Sequence, residues 1–255
     1  MLDTILTALP QGKRLVEPFA GSGAVFLNAA YPAALVCDVN PDPILLFCLL
    51  RDKGESFIER CRELFVPENN NAERYYALRE QFNGACPREE RAALFLYLNR
   101  HGYNGLVRYN AKGRYNVPFG KHKKPYFPLR EMRAFSCKSQ DCGAEFRVAD
   151  FRAVFAQLEP GDVVYCDPPY LPLGDACGFT AYAGRVFSLA DHKALAAQAK
   201  AAQARGITVV LSNHDTPKAR ELYAGANIQA FGVRRLISCK GAGRDMASEL
   251  LAIFA

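Results

Sequence analysis

The chain has 255 residues, 50% of them apolar and 23% charged, with 17 Phe, 12 Tyr and a net charge of +6, a composition that suits one large domain with or without an insertion and excludes disorder, collagen-like repeats and coiled coil. The longest unbroken apolar run, residues 43–50, is far short of the roughly 18 that span a bilayer, and Met1-Leu2-Asp3-Thr4 does not open a secretory signal. Nine cysteines, none in a CxxC pair, read as reduced thiols of a cytoplasmic protein and not as a zinc cluster.

Residues 14–19 read as a buried strand, followed by a glycine turn and an apolar helix over about 22–30. Residues 34–39 form a second strand, with a proline-rich break behind Asp38. This β-α-β opening places Glu17-Pro18-Phe19-Ala20-Gly21-Ser22-Gly23 where a strand becomes a helix. Gly21 and Gly23 let the backbone pass close to a ligand, and the helix start offers N–H groups. A dinucleotide fingerprint needs a further glycine at position 26, where Phe26 stands, which argues against NAD and FAD. Asp38 is placed to accept both hydroxyls of a ribose. A turn that needs glycine only for packing is the plainer reading, but Asp38 shifts the balance toward a nucleoside ligand without a pyrophosphate, such as S-adenosylmethionine.

From residue 44 to about 99 the periodicity is helical: Phe57, Cys61 and Leu64, then Tyr75, Leu78 and Phe82, then Ala92, Leu96 and Asn99. A polar loop follows, punctuated by Gly102, Gly105, Gly113, Pro118, Gly120, Pro125 and Pro128. Residues 51–130 hold 16 Lys and Arg against 9 Asp and Glu, whereas the rest of the chain holds 16 against 17. Within 100–130 there is no acid beside Arg100, Arg108, Lys112, Arg114, Lys121, Lys123, Lys124 and Arg130. Tyr103, Tyr109, Tyr115, Phe119 and Tyr126 are interleaved there with Asn104, Asn110 and Asn116. Cations for phosphates, rings for stacking and amides for base edges are the ingredients of a nucleic-acid surface. A generic basic loop is the alternative.

Strand signals resume at 145–148, 162–166 and 207–212, with helical stretches at 151–156 and 189–205 between them. Residues 228–236 and 247–254 read as a hairpin whose Gly/Lys-rich connection includes Lys240 and Arg244. The alternation predicts an α/β fold with a mainly parallel sheet covered on both faces and a C-terminal antiparallel hairpin. Residues 1–50 and 131–255 form its catalytic domain, and 51–130 are an inserted helical, basic subdomain. His101, His122, His192 and His214 lack metal-ligand spacing, Cys166 reads as a small core residue, and Leu189, Leu195 and Ala199 read as a core stripe.

The strand at 162–166 runs into Asp167-Pro168-Pro169-Tyr170. Two prolines fix φ and delete two N–H donors, making a stiff stub at the carboxyl end of a strand, where open α/β sheets bind ligands. A plain Pro-Pro turn capped by Asp explains neither the ring nor the glycine turn two strands earlier. The chemistry that fits is methylation of an exocyclic amine, whose lone pair is delocalised into its ring. The Asp167 carboxylate and the Pro168 carbonyl can hold both N–H bonds and favour a pyramidal nitrogen. Tyr170 can stack on a base drawn out of the duplex. The donor is already activated, so positioning and electrostatics supply the acceleration.

The order of glycine turn, basic insert and Asp-Pro-Pro-Tyr resembles the alpha-group DNA adenine-N6 methyltransferases, most closely the Dam type. The likeness covers nearly the whole chain. It runs through Tyr97-Leu98-Asn99-Arg100-His101-Gly102-Tyr103-Asn104-Gly105-Leu106-Val107-Arg108-Tyr109-Asn110 and Tyr115-Asn116-Val117-Pro118-Phe119-Gly120, then Ser212-Asn213-His214-Asp215 and Glu249-Leu250-Leu251. It implies a Rossmann-like methyltransferase fold that binds S-adenosylmethionine through Glu17, Pro18, Phe19, Gly21, Gly23 and Asp38, with Asp150 and Phe151 framing the adenine. It implies Asp167, Pro168, Pro169 and Tyr170 as the catalytic corner, Asp167 also lying against the cofactor. Arg100, Tyr103, Asn104, Leu106, Arg108, Asn110, Asn116 and Pro118, with Lys121, His122, Lys123 and Lys124, are then expected to read and grip a GATC-like site in double-stranded DNA. No metal and no membrane are expected, and the protein is expected to be a nucleoid-associated monomer.

Three departures from the family pattern carry expectations of their own. A Gly-rich, Lys-containing motif before the first strand is not found in the 13 residues ahead of Arg14, so a truncated chain or a catalytically weakened DNA-binding remnant is the competing expectation. Lys121 and His122 stand where related chains often have Arg and Tyr, and Lys does not replace a bidentate Arg, so selectivity at the outer base is expected to differ. The acids of the 51–99 helices leave the loop as the DNA face. Methylation of protein or RNA ranks last, since Asn would be expected at position 167 for glutamine.

Overall fold

The structure is a computed structural model that describes residues 1–172, 181–182, 185–234 and 246–255. The first half contains α1 (Leu2–Ala8), β1 (Arg14–Glu17), α2 (Ala24–Asn28), β2 (Ala34–Asp38), α3 (Pro41–Lys53), α4 (Glu55–Arg62), α5 (Ala72–Asn83) and α6 (Arg88–His101). After a 3-10 turn at Tyr103–Gly105 come α7 (Leu129–Asp141), β3 (Glu145–Val148), α8 (Phe151–Phe155) and β4 (Asp162–Cys166). The two-residue strands β5 (Ala181–Tyr182) and β6 (Arg185–Val186) precede α9 (Leu189–Gln203), β7 (Thr208–His214), α10 (Pro217–Leu222), β8 (Asn227–Arg234) and β9 (Met246–Phe254).

Seven strands form one sheet in the order β3-β2-β1-β4-β7-β9-β8. β1 pairs in parallel with β2 and β4, and β4 with β7, whereas β9 runs antiparallel to both β7 and β8. This is the α/β arrangement expected, a mainly parallel sheet closed by a C-terminal antiparallel hairpin. Every residue of β2 and β4 is buried, as the unbroken apolar runs of a sheet covered on both faces require. The strand order reverses about β1, which has β2 on one side and β4 on the other. Ligands collect at the carboxyl ends of strands on either side of such a reversal.

The chain divides into two compact units, the first formed by the described residues of Met1–Cys37, Ala149–Ala181 and Val186–Ala255, the second by those of Asp38–Val148 and Tyr182–Arg185. In the first unit Val16, Val164, Cys166, Leu211 and Ala252 share one buried cluster with Leu195 and Ala199 of α9. Leu189 packs against its margin. In the second, Phe57, Tyr75, Phe82 and Tyr97 are fully buried among α4, α5 and α6, and residues 51–130 lie within this unit.

Some expectations need correction. The proline-rich stretch behind Asp38 is the start of α3 and not a break: Asn40 caps the helix by accepting the Asp42 N–H at 3.1 Å, and Pro41 occupies the first position, where its missing N–H costs nothing. α2 spans five residues, shorter than the 22–30 read from its apolar run. α1, which buries Ile5, and α10, capped by Thr216 ahead of Pro217, were not foreseen. The hairpin register runs from Asn227↔Ile253 to Arg234↔Met246; its connection, with Lys240 and Arg244, lies outside the described residues.

Candidate active site

The corner at the end of β4 is open to solvent. Asp167 is exposed, Pro168 buried, and Pro169 and Tyr170 half-buried. The Asp167 Oδ1 accepts the Ser212 hydroxyl at 2.6 Å, and Ser212 Oγ accepts the Tyr165 hydroxyl at 3.2 Å. The protein crowded around Asp167 raises its carboxyl above the ordinary range, while hydrogen bonds from Ser212 and Tyr170 pull it back.

β7 lies beside β4 and clamps the chain on the far side of the corner. Asn213, wholly buried, accepts the Leu171 N–H at 3.0 Å and the His214 N–H at 2.9 Å through one oxygen, and its amide donates to the Tyr223 hydroxyl at 2.9 Å. His214 Nδ1 lies 2.8 Å from the Leu171 carbonyl. The Tyr170 ring stands edge-on to the His214 ring at 4.8 Å, with its hydroxyl 3.5 Å from Glu249 Oε2. Leu171 is thus held at both its N–H and its carbonyl, which fixes the exit of the corner and the ring beside it.

The glycine turn begins beyond Glu17 and Pro18, both buried. Gly21 and Gly23 have φ of +51° and +70°, conformations that favour glycine over any residue with a Cβ. A Cβ at Gly21 would meet no atom within 4 Å, so the constraint there is the dihedral and the turn faces open space. Ala20 N–H donates to Cys37 O and Gly23 N–H to Ala20 O, each at 2.8 Å, so those two N–H groups hold the turn itself. Phe19 stacks on Phe151 at 5.6 Å and meets Phe187 edge-on at 5.8 Å. Asp150 caps α8 by accepting the Arg152 N–H at 3.0 Å. Asp38 closes β2 with only 3% exposure, its Oδ1 accepting the Asn40 N–H at 2.8 Å.

In the second unit, Tyr103, Asn104, Leu106, Arg108, Pro118, Lys121, His122, Lys123 and Lys124 are exposed, with Arg100, Asn110 and Asn116 half-buried. Asn104 and Lys121 take the left-handed conformation, φ +54° and +55°, which turns the chain sharply at both places. Gly102 pairs with Phe119 across the base of this segment, and a Cβ at Gly120 would fall 2.6 Å from Gly102 O. Arg108 Nε donates to Asn116 Oδ1 at 2.8 Å, and Asn110 Oδ1 accepts the N–H groups of Lys112 and Arg114 at 2.9 and 3.1 Å. Arg100 Nε donates to Tyr126 O at 3.0 Å and its guanidinium lies over the Tyr126 ring. The aromatic interleaving is only partly a surface feature. Tyr103 and Tyr126 are about half exposed, but Tyr115 is buried with its hydroxyl on Leu106 O at 2.8 Å, and Tyr109 and Phe119 are half-buried.

Among the described residues no three His, Cys, Asp or Glu side chains cluster as a metal site would require, and no helix is long and apolar enough to cross a membrane. Burial pushes the His101 and His192 rings down to about 4, leaving both neutral. The Cys166 thiol, wholly buried, is pushed well above its usual range by desolvation.

The family model of the D12 class N6 adenine-specific DNA methyltransferases matches residues 1–237. The chain belongs to that family. The DNA adenine methylase of Vibrio cholerae serotype O1 is 47% identical to it over 255 residues, covering 100% of this chain and 91% of that protein. The DNA adenine methylase of Escherichia coli K12 is 46% identical over 254 residues, covering 100% and 91%, and that of Serratia marcescens 44% over 256 residues, covering 100% and 94%.

Several residues that the structure ties together were given no role by the sequence. Ser212 and Asn213 entered only as part of a matching segment, His214 otherwise only as a histidine without metal-ligand spacing, and Tyr165 only as part of the strand at 162–166. The available signal was a polar Ser-Asn pair closing an apolar strand, which burial tolerates only where partners await it. Asp42 is the other omission. It is 2% exposed and accepts Arg91 Nε at 2.6 Å, Arg91 Nη2 at 3.1 Å and the Tyr109 hydroxyl at 2.5 Å.

Proposed function

We propose that this methyltransferase moves a methyl group from S-adenosylmethionine to the N6 amine of an adenine flipped out of a GATC-like site in double-stranded DNA. The observation that carries the reading is the Asp167–Tyr170 corner: a carboxylate held by Ser212, on a proline-stiffened stub at the carboxyl end of a parallel strand.

The residues around the glycine turn suit the donor. Gly21 faces open space, Phe19 and Phe151 offer stacked rings, and Asp38 supplies a carboxylate for ribose hydroxyls. When bound, the donor supplies an electrophilic methyl on a sulfonium. Asp167 and the Pro168 carbonyl accept the two N–H bonds of the amine and turn its lone pair out of conjugation. Tyr170 stacks on the extruded base, its ring direction set by His214. As the new N–C bond forms, the S–CH3 bond of the sulfonium would break to leave a neutral thioether and the amine would give up one proton, which the Asp167 carboxylate can receive or relay.

Tyr103, Asn104, Leu106, Arg108 and Pro118 are read as the sequence-sensing surface, with Arg100, Asn110 and Asn116 shaping it. The 121–124 run supplies phosphate contacts. Purified protein given labelled S-adenosylmethionine and unmethylated duplex DNA should place label on adenine N6. Duplex binding without transfer would leave only the DNA-binding reading, and transfer to protein or RNA alone would overturn the DNA assignment.

A further inference from the structure

Three residues at alternate positions, Asp38, Asn40 and Asp42, form a buried relay within the second unit. Asp38 Oδ1 accepts the Asn40 N–H at 2.8 Å, and Asn40 Oδ1 accepts the Asp42 N–H at 3.1 Å. All three side chains are at most 3% exposed. Beyond the relay, the Asp42 carboxylate takes a two-pronged bond from Arg91 and one from the Tyr109 hydroxyl. Arg91 is itself fixed: Nη1 donates to Phe82 O at 3.0 Å and the guanidinium lies over the Phe82 ring at 4.3 Å.

A buried carboxylate needs partners, and the Arg91 pair alone satisfies the charge. The third bond, to Tyr109, therefore reaches out of the helical core into the loop that follows α6. Tyr109 stands between Arg108 and Asn110, pairs across the loop with Tyr115, and is flanked by the Asn116 N–H on Arg108 O at 3.1 Å and the Asn110 N–H on Arg114 O at 2.9 Å. No other residue between 105 and 115 sends a side-chain hydrogen bond into α3 among the described contacts. One hydroxyl thus ties the middle of the recognition loop to the same short turn that presents Asp38.

We propose that Asp42 is a positioning residue, holding Tyr109 and the Arg108–Asn110 stretch in register with Asp38, so that donor binding and duplex binding reinforce each other. The coupling half of this statement rests on the cofactor role given above to Asp38. Reinforcement must be reciprocal, because two ligands that order one frame each find it already ordered by the other.

Tyr109→Phe deletes the hydroxyl and keeps the ring, leaving the Arg91–Asp42 pair in place. Asp42→Asn removes the charge, and the double variant closes a cycle. Hydrogen exchange of the ligand-free protein should show faster exchange over 106–116 in Tyr109→Phe, with a melting temperature close to that of the parent. Duplex affinity, read by fluorescence anisotropy with and without S-adenosylhomocysteine, should rise with the analogue in the parent and lose about tenfold of that gain in Tyr109→Phe, the loss expected when one bond to a charged group disappears. The double variant should bind no worse than Asp42→Asn alone, since both changes act through one bond. Equal exchange and an equal analogue effect in parent and Tyr109→Phe would overturn the proposal. A parent that binds no analogue would remove the cofactor role of Asp38 and the coupling with it, while the exchange comparison would still decide whether Asp42 holds the loop.

Discussion

Asn213 in β7 accepts the N–H of Leu171, the residue that follows Tyr170, at 3.0 Å. Together with the His214 contact to the Leu171 carbonyl at 2.8 Å, it anchors the exit of the candidate corner, whose entry is held by Ser212 on Asp167. Asn213→Ala should strand the Leu171 N–H in a buried site, lowering stability by about 1–3 kcal/mol. Methyl transfer should fall by more than tenfold, roughly the loss that follows a small misplacement of reacting groups. Tyr223→Phe, which removes only the partner of the Asn213 amide, should cost less of both. Chemical denaturation and initial rates on a duplex substrate check the pair.

Ser212 stabilises the ionised form of Asp167. In Ser212→Ala that support disappears while the surrounding crowding stays, so the Asp167 carboxyl moves further upward. Activity that needs the carboxylate is lost as pH falls through the raised value, and the acid limb of the rate profile should therefore shift to higher pH. A profile of kcat/KM against pH for parent and variant tests the sign.

The buried His101 and His192 make the fold acid-sensitive. Each ring is held down to about 4 by desolvation, below its unfolded value near 6.5. The unfolded chain then binds more protons between those values, so stability is complete above about pH 6.5 and declines as pH drops toward 4, by up to about 3 kcal/mol per ring. Among the described residues neither nitrogen of His192 has a hydrogen-bond partner. His192→Leu should flatten the decline without lowering stability at neutral pH, measured as melting temperature across that range.

Charge in the exposed 121–124 run should act on affinity and salt dependence without regard to sequence. Replacing Lys121, Lys123 and Lys124 by Ala should weaken binding to all duplexes alike and reduce the slope of log K against log salt by up to about 0.9 for each phosphate contact removed. Arg108→Ala should instead narrow the difference between a GATC duplex and one with a changed base. Anisotropy titrations at several salt concentrations separate the two behaviours.

Much of the architecture was legible in the residues, and what was missed has physical causes. β4 follows its predicted bounds of 162–166 because a run buried on both faces, bracketed by glycine and proline, has few alternative pairings. The start of α3 was misread because proline both ends helices and begins them; only the Asn40 side chain on the Asp42 N–H distinguishes the cases. Tyr115 and Tyr109 looked like stacking rings because one-dimensional spacing does not say which side of a loop faces the core. The bond from Tyr109 to Asp42 spans 67 positions, a tertiary contact that no local pattern reveals. The Asp-Pro-Pro-Tyr corner was visible as a motif, but its support from Ser212, Asn213 and His214 depends on β7 pairing beside β4.

The most direct test of the account is Asp167→Ala measured beside the parent with labelled S-adenosylmethionine and an unmethylated GATC duplex. The account predicts label on adenine N6 with the parent and none above background with the variant, while duplex affinity stays within about threefold because the lost contact serves the reacting amine. Undiminished transfer by the variant would contradict it.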